Sequence, residues 1–298
     1  MNAGKVHGWR SAKGQRLRPG PNGLKTSRKQ VQYCAGEAFI PTSLTPGGPN
    51  PVSFLRLIPN ILQDQKKIWM FPAKLARGQY WKPAVIFAVI TGALFMLDPY
   101  DPSYFRHTRQ FHLLNIIVSG HNATVAMWLV MLGAMAIGLL RSDSYMKNTV
   151  WYACQALIDS ELLTQVLKGI DRRLRPQDVM TYRHYLDSWF QDKGPWYAGP
   201  GSFPSGHEIA AISIATAFAI RYRHHSWAPW TAYGMAGIIG ISRITLLSHF
   251  PSDVFAGAFL GYVIARYVVL AESPLAVVAE EEASQQEEVV RVSAAGWR

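Results

Sequence analysis

Cysteine is scarce, with two in 298 residues. Cys34 sits in a polar stretch and Cys154 inside an apolar run. The two are not expected to meet, so the sequence predicts no disulfide, and it offers no cysteine-based metal site. Acidic residues are also few, 19 against 30 Lys and Arg, for a formal net charge of +11. The first is Glu37, which follows Lys5, Arg10, Lys13, Arg16, Arg18, Lys25, Arg28 and Lys29. No apolar run follows this basic stretch directly, which argues against a cleavable secretory signal. Metal-ligand motifs and internal repeats are absent, and no cofactor is expected. Nucleic-acid binding is one reading of the basic stretch. The preferred one is a disordered cytosolic tail that fixes membrane orientation and touches anionic lipid, with no nucleic acid as partner.

What is abundant is apolar sequence, and it is clustered. Residues 1–52 are polar and basic, 53–82 mix apolar residues with Lys and Arg, and 273–298 form an acidic tail with Glu280, Glu281, Glu282, Glu287 and Glu288. Between them lie apolar runs at about 83–97, 123–140, 150–167, 205–222, 228–247 and 253–270. A bilayer-spanning helix takes about 20 apolar residues. The fold class read from this is all-α, an integral membrane helical bundle of about six transmembrane helices spanning 83–272. Taken alone, the runs at 83–97 and 205–222 are short enough to be buried helices of a soluble protein. Residues 53–82 read either as an amphipathic segment on the inner membrane surface or as a helix packed beneath the bundle.

Loop charges predict orientation. Lys66, Lys67, Lys74, Arg77 and Lys82 precede the first run. Arg141 and Lys147 lie between the second and third, and Arg221 and Arg223 between the fourth and fifth. The positive-inside rule makes these sides cytoplasmic. Both termini are then cytoplasmic, and the 168–205 loop and the turn at His249 lie on the outer face. Arg172, Arg173 and Arg183 break the rule in that outer loop, as functional phosphate-binding cations would.

Three stretches at the ends of apolar runs carry one chemistry. The first is Lys168, six residues, Arg175 and Pro176. The second is Pro204-Ser205-Gly206-His207. The third is Ser242-Arg243, five residues, His249, three residues and Asp253. Lys168 and Arg175, seven apart, share a face if the helix continues, although two headgroup-snorkelling cations would look alike. Ser205 followed by Glu208 matches a capping box, and a helix N-terminus beside a glycine is also an anion site. Arg243 inside an apolar run is costly and hence a functional candidate; its guanidinium fork suits a phosphate. Asp253 is placed to hydrogen-bond one nitrogen of His249 and leave the other free to attack, unless it is merely a helix N-terminal acid. Together these groups suit phosphate binding and transfer through a histidine, with a lipid tail on the substrate.

In these motifs, K-x6-RP, PSGH and SR-x5-H-x3-D, the chain resembles the type-2 phosphatidic acid phosphatase superfamily, which includes membrane lipid phosphate phosphatases, soluble bacterial acid phosphatases and vanadium haloperoxidases. The resemblance covers roughly 83–270. It implies Lys168, Arg175 and Arg243 as phosphate ligands, helped by Ser205 and Gly206. It implies His249 as nucleophile, Asp253 as its orienting partner, and His207 as acid and then base. The implied activity is metal-independent hydrolysis of a lipid phosphate or diphosphate in the bilayer of a bacterial inner membrane. Alternatives are a lipid phosphotransferase, a vanadium haloperoxidase, or a lipid-binding or flipping protein without catalysis. The other polar residues carry less. Asp159 and Glu161 either face the bundle interior or mark a shifted helix, and His224 and His225 read as a solvated pair. Asp98, Asp101, His107, His112 and His121 read as surface loop residues.

Overall fold

The computed structural model describes residues 54–179, 185–195 and 201–271, all within the larger of two units, Thr45–Arg298. The basic tail, Cys34, Arg183 and the acidic tail lie outside the described residues. Every regular element among those described is helical. In chain order they are α1 (Phe54–Trp69), α2 (Phe71–Ala76), α3 (Trp81–Leu97), α4 (Asp101–Phe105), α5 (His112–Ile117), α6 (Gly120–Leu140), α7 (Ser144–Asp171), a 3-10 turn at Tyr185–Ser188, α8 (Gly206–Arg221), α9 (Trp227–Thr245) and α10 (Pro251–Val263). The last continues as a π-helical turn, Ile264–Val269.

All six apolar runs fall on helices, yet the expected count of six spans is not established. Among the described residues two helices are long and apolar enough to cross a bilayer, Gly120–Leu140 and Pro251–Val269. A third qualifies if Arg56–Ala76 and Trp81–Leu97, bent by 96°, form one broken span. The reason lies in the distribution of residues. The outward faces of α3 and α6 hold large apolar side chains such as Val89, Leu129, Leu132 and Leu140. The inward faces of α7 and α8 hold small or polar ones, including Ser160, Thr164, Ser213 and Thr216, all fully buried. This is the arrangement of an integral membrane protein, because lipid offers no drive to bury leucine and close approach favours small residues.

Helix α8 is the hub, packed against α7, α9 and α10. Its contact with α10 depends on a Gly-x-x-x-Gly pair. A Cβ on Gly257 would lie 2.7 Å from the Ser205 carbonyl oxygen, and one on Gly261 would lie 2.6 Å from that of Ile209. Between α7 and α8, Ser160 and Ser213 share a buried hydroxyl hydrogen bond of 2.7 Å.

Helix α1 turns its polar residues toward the bundle. Gln65 donates to the Asp159 carboxylate (2.9 Å), and Gln155 donates to Asp64 (2.6 Å). Ile58, Leu62 and Trp69 remain exposed on its other side. Asp159 therefore faces the interior, and α7 is not shifted. Helix α7 runs farther than its apolar run suggests, because Asp143 caps it by accepting from the Tyr145 and Met146 amides. Arg221 is buried against Tyr145 and Tyr152, with Nε donating to Thr149 (2.7 Å), so it is not a loop charge. His224 and His225 are exposed, as are His107, His112 and His121. Asp98 is not a surface residue. It lies 1% exposed beneath the site.

Candidate active site

The three motifs converge on one cavity of about 290 Å³, lined by Lys168, Arg175, His207, Arg243 and His249 together with Ser119 and Gly120. Each side chain arrives from a different element. Lys168 lies in the last turn of α7 and is 7% exposed. The helix does not continue to Arg175. It stops at Asp171, and Arg172 takes a left-handed conformation (φ 45°). The two cations therefore do not share a helix face; the turn brings Arg175 back to the cavity. Among the described residues neither cation has a carboxylate within 4.0 Å, which leaves both available to an anion.

Helix α8 begins at Gly206 with Ser205 as N-cap, but no capping box forms. The Ser205 hydroxyl and Glu208 Oε2 are both buried without a hydrogen-bond partner. A buried orphan hydroxyl at a helix N-terminus has a place when an anion accepts from it. Gly206 sets that end beside Lys168, since a Cβ there would stand in ordinary contact, 3.6 Å, with Lys168 Nζ. His207, in the first turn, donates from Nε2 to the Gly120 carbonyl (3.2 Å) and lies 3.3 Å from the Thr124 hydroxyl. Arg243, 2% exposed, is aimed by a hydrogen bond from Nη2 to the Val118 carbonyl and by Nη2 and Nε donating to Ser242 Oγ (2.9 and 3.2 Å).

His249 stands in the turn before α10, and Asp253 in the first turn of that helix. The expected direct bond between them is not made. Asp253 Oδ2 is 3.7 Å from Nδ1, beyond hydrogen-bond range. Nδ1 instead donates to the carbonyl of Ser202 at 2.8 Å. The Ser202 hydroxyl donates to Asp253 Oδ2 (2.6 Å), which also accepts from the Phe250 amide (2.9 Å). With Nδ1–H committed to a carbonyl, Nε2 carries the lone pair. Burial holds the imidazole below its ordinary pKa, and the cations Lys168 and Arg175 act in the same direction; Asp253 opposes both.

Ser202 carries no sequence signal, since it lies outside every motif. Gly201 puts it in place. Its φ is +66°, and a Cβ there would come within 2.9 Å of both the Lys168 carbonyl oxygen and Asp171 Oδ1. Arg173, at an unspecified position inside the first motif, makes ion pairs with Asp253 (2.6 Å) and Asp98 (2.7 Å).

A membrane-embedded helical bundle with a cation-lined pocket around two histidines defines the class. Residues 149–274 match the PAP2 superfamily model, which bears out the family recognised from the three motifs. Among characterised proteins, the chain is 28% identical over 160 residues to the bacitracin transport permease protein BcrC of Bacillus licheniformis, covering 54% of this chain and 72% of that one. It is 41% identical over 64 residues to a lipid A 1-phosphatase of Porphyromonas gingivalis, covering 21% of this chain and 14% of the relative. A lipid A 4'-phosphatase of the same organism is 27% identical, covering 38% and 45%. The chain thus spans less than half the length of either lipid A phosphatase. Among solved structures, a transmembrane PAP2-type phosphatidylglycerolphosphate phosphatase from Bacillus subtilis aligns over 72% of this chain and 92% of its own, with 19% identity and a TM-score of 0.36.

Proposed function

We propose that this protein is a membrane phosphatase that hydrolyses a lipid phosphate or diphosphate monoester through a phosphohistidine on His249. The observation that carries this reading is the hydrogen bond between His249 Nδ1 and the Ser202 carbonyl. With Nδ1–H held there, Nε2 is a free nucleophile in a cavity lined by Lys168, Arg175 and Arg243. In the first step Nε2 attacks the terminal phosphorus, its P–O bond to the leaving group (a lipid alcohol, or a lipid phosphate from a diphosphate) breaks, and the leaving oxygen takes a proton from protonated His207. In the second, His207 takes a proton from water, whose oxygen attacks phosphorus; the N–P bond breaks, the His249 imidazole leaves neutral, and inorganic phosphate is released. The three cations, the Ser205 hydroxyl and the α8 N-terminus stabilise the equatorial oxygens, where charge accumulates. These fixed cations supply the charge that a metal would supply and would repel one, so the reaction is metal-independent. The names of the lipid A phosphatases support a lipid substrate.

Orientation follows from the loop charges. Lys66, Lys67, Lys74 and Arg77 belong to the inner, cytoplasmic side of a bacterial inner membrane, and the cavity opens on the outer side. One experiment tests function. Purified protein is given phosphatidate, phosphatidylglycerol phosphate, a polyprenyl diphosphate and lipid A in detergent with excess EDTA. Phosphate release from at least one is expected. Activity that vanishes in EDTA and returns with Mg²⁺ overturns metal independence. No release from any lipid, with or without metal, overturns the function.

A further inference from the structure

Arg173 occupies one of the six unspecified positions between Lys168 and Arg175, and its side chain does not face the phosphate cavity. It is 1% exposed, and each nitrogen of its guanidinium has a partner on the far side of the nucleophile. Nε donates to Ser188 Oγ (3.2 Å), Nη1 to Asp253 Oδ1 (2.6 Å) and Ser252 Oγ (2.9 Å), and Nη2 to Asp98 Oδ2 (2.7 Å). Three aromatic rings hold the guanidinium carbon, with centroids 4.0 Å (Phe250), 4.7 Å (Trp189) and 5.3 Å (Phe95) away. The backbone of the same residue accepts from the Ser202 amide at 2.7 Å. Arg173 therefore fixes both groups that orient the His249 ring. It fixes Ser202, whose carbonyl takes the Nδ1 proton, through its main chain, and Asp253 through its side chain.

We propose that Arg173 is a positioning residue for the nucleophile, with Asp98 as the counter-ion that lets it serve. This rests on the phosphohistidine reading above. Attack by Nε2 leaves the phosphorylated ring cationic while Nδ1–H is retained, so the ring must be met by net negative charge. A lone arginine on Asp253 would cancel that carboxylate. Asp98 prevents this: it pairs with Arg173 and accepts from the Ser252 hydroxyl (2.5 Å) and amide (3.2 Å). The arginine is thus shared between two carboxylates, and Asp253 keeps charge to offer the ring. Arginine suits the place because a planar fork can serve two carboxylates and two hydroxyls in one fixed geometry. The network also ties the end of α3 to the first turn of α10, so the site is closed by a helix that carries no motif.

The test separates positioning from phosphate binding. Arg173→Ala, Arg173→Lys and Asp98→Asn are purified, and kcat and KM for p-nitrophenyl phosphate are measured with the inhibition constant of inorganic phosphate. For Arg173→Ala, kcat is expected to fall at least 100-fold while KM and the phosphate constant stay within threefold of wild type, because Lys168, Arg175 and Arg243 are untouched. Arg173→Lys should recover part of kcat, and Asp98→Asn should lose about tenfold with phosphate affinity unchanged. A kcat preserved in Arg173→Ala overturns the role, and so does phosphate affinity falling in step with kcat. If Arg173→Ala does not fold, Arg173→Lys and Asp98→Asn decide by the same split. Wild-type protein that hydrolyses nothing overturns the phosphatase reading and this role with it. An active wild type with unaffected variants overturns the role alone.

Discussion

His249 Nδ1 donates to the main-chain carbonyl of Ser202 at 2.8 Å, whereas Asp253, four residues on in the first turn of α10, reaches the ring only at 3.7 Å. The partner that sets the tautomer is therefore a backbone group that substitution cannot delete. Asp253 acts through charge and through the Ser202 hydroxyl that donates to it (2.6 Å).

This division predicts unequal losses. Ser202→Ala keeps the carbonyl and removes one donor to a carboxylate. A hydrogen bond to a charged group contributes about 1.5–3 kcal/mol, so kcat should fall roughly 10- to 100-fold. Asp253→Asn removes the charge that meets the cationic ring and should cost more. Steady-state kinetics of the two variants check the order. Equal losses would show that the hydroxyl alone carries the effect of Asp253.

The pH profile follows from burial of His249. Burial disfavours the imidazolium and lowers the pKa from 6.5, with Lys168 and Arg175 adding to the shift. The nucleophile must be neutral, so it is lost only as pH falls through the lowered value. The acid limb of kcat/KM, which reports the free enzyme, should therefore have its midpoint below 6.5 with p-nitrophenyl phosphate. A midpoint above 6.5 would contradict a nucleophile whose charged form is disfavoured.

Close helix contact at the site gives a third test. Gly257 stands where a Cβ would meet the Ser205 carbonyl oxygen at 2.7 Å, and that atom belongs to backbone. Gly257→Ala must push the start of α8 away from α10, moving Ser205 and His207 relative to His249. Overpacking of this kind costs about 1–3 kcal/mol, and misplacement by about 1 Å can cost about 100-fold in rate. Gly234→Ala is the control, since nothing lies within 4 Å of its Cβ position. Reduced melting temperature and activity in Gly257→Ala alone are expected. Equal behaviour of the two variants would remove the packing argument.

The cavity-lining half of this site was legible because it is written in clustered polar residues at the ends of apolar runs, where chance seldom places them. The supporting half was not. Asp98 lies 154 residues before Ser252, to which it is hydrogen-bonded, and no local pattern announces such a pairing. Read alone, it is an acid in a loop. Arg173 did leave a signal, as one of the arginines that break the positive-inside pattern in the outer loop. The natural explanation was phosphate binding, whereas its partners are two carboxylates. Ser202 acts through its carbonyl, which every residue has. Two fold expectations failed because they assumed a regular helix: the left-handed Arg172 ends α7 four residues before Arg175, and Ser205 leaves its hydroxyl unpaired in place of capping α8.

The two histidines should differ in kind as well as degree. His249 has its Nδ1–H committed to Ser202, which leaves Nε2 with the lone pair and makes it the proposed nucleophile. His207 stands at the positive end of α8 and lines the same cavity, with Nε2 near the Gly120 carbonyl and the Thr124 hydroxyl. Either alanine variant should lose most turnover of a lipid phosphate. His249→Ala should form no phosphoenzyme with any substrate. His207→Ala should still accept phosphate from p-nitrophenyl phosphate, whose leaving group needs no proton, and then release it slowly because no base activates water. Label from ³²P-substrate should therefore accumulate on His207→Ala after quenching without acid, which would hydrolyse phosphohistidine, and mass spectrometry should place it on His249. Label retained by His249→Ala would show that the nucleophile is a different residue. Absence of label from His207→Ala while wild type still turns over would mean that His207 is needed for attack itself, and the division of roles between the two histidines would fall.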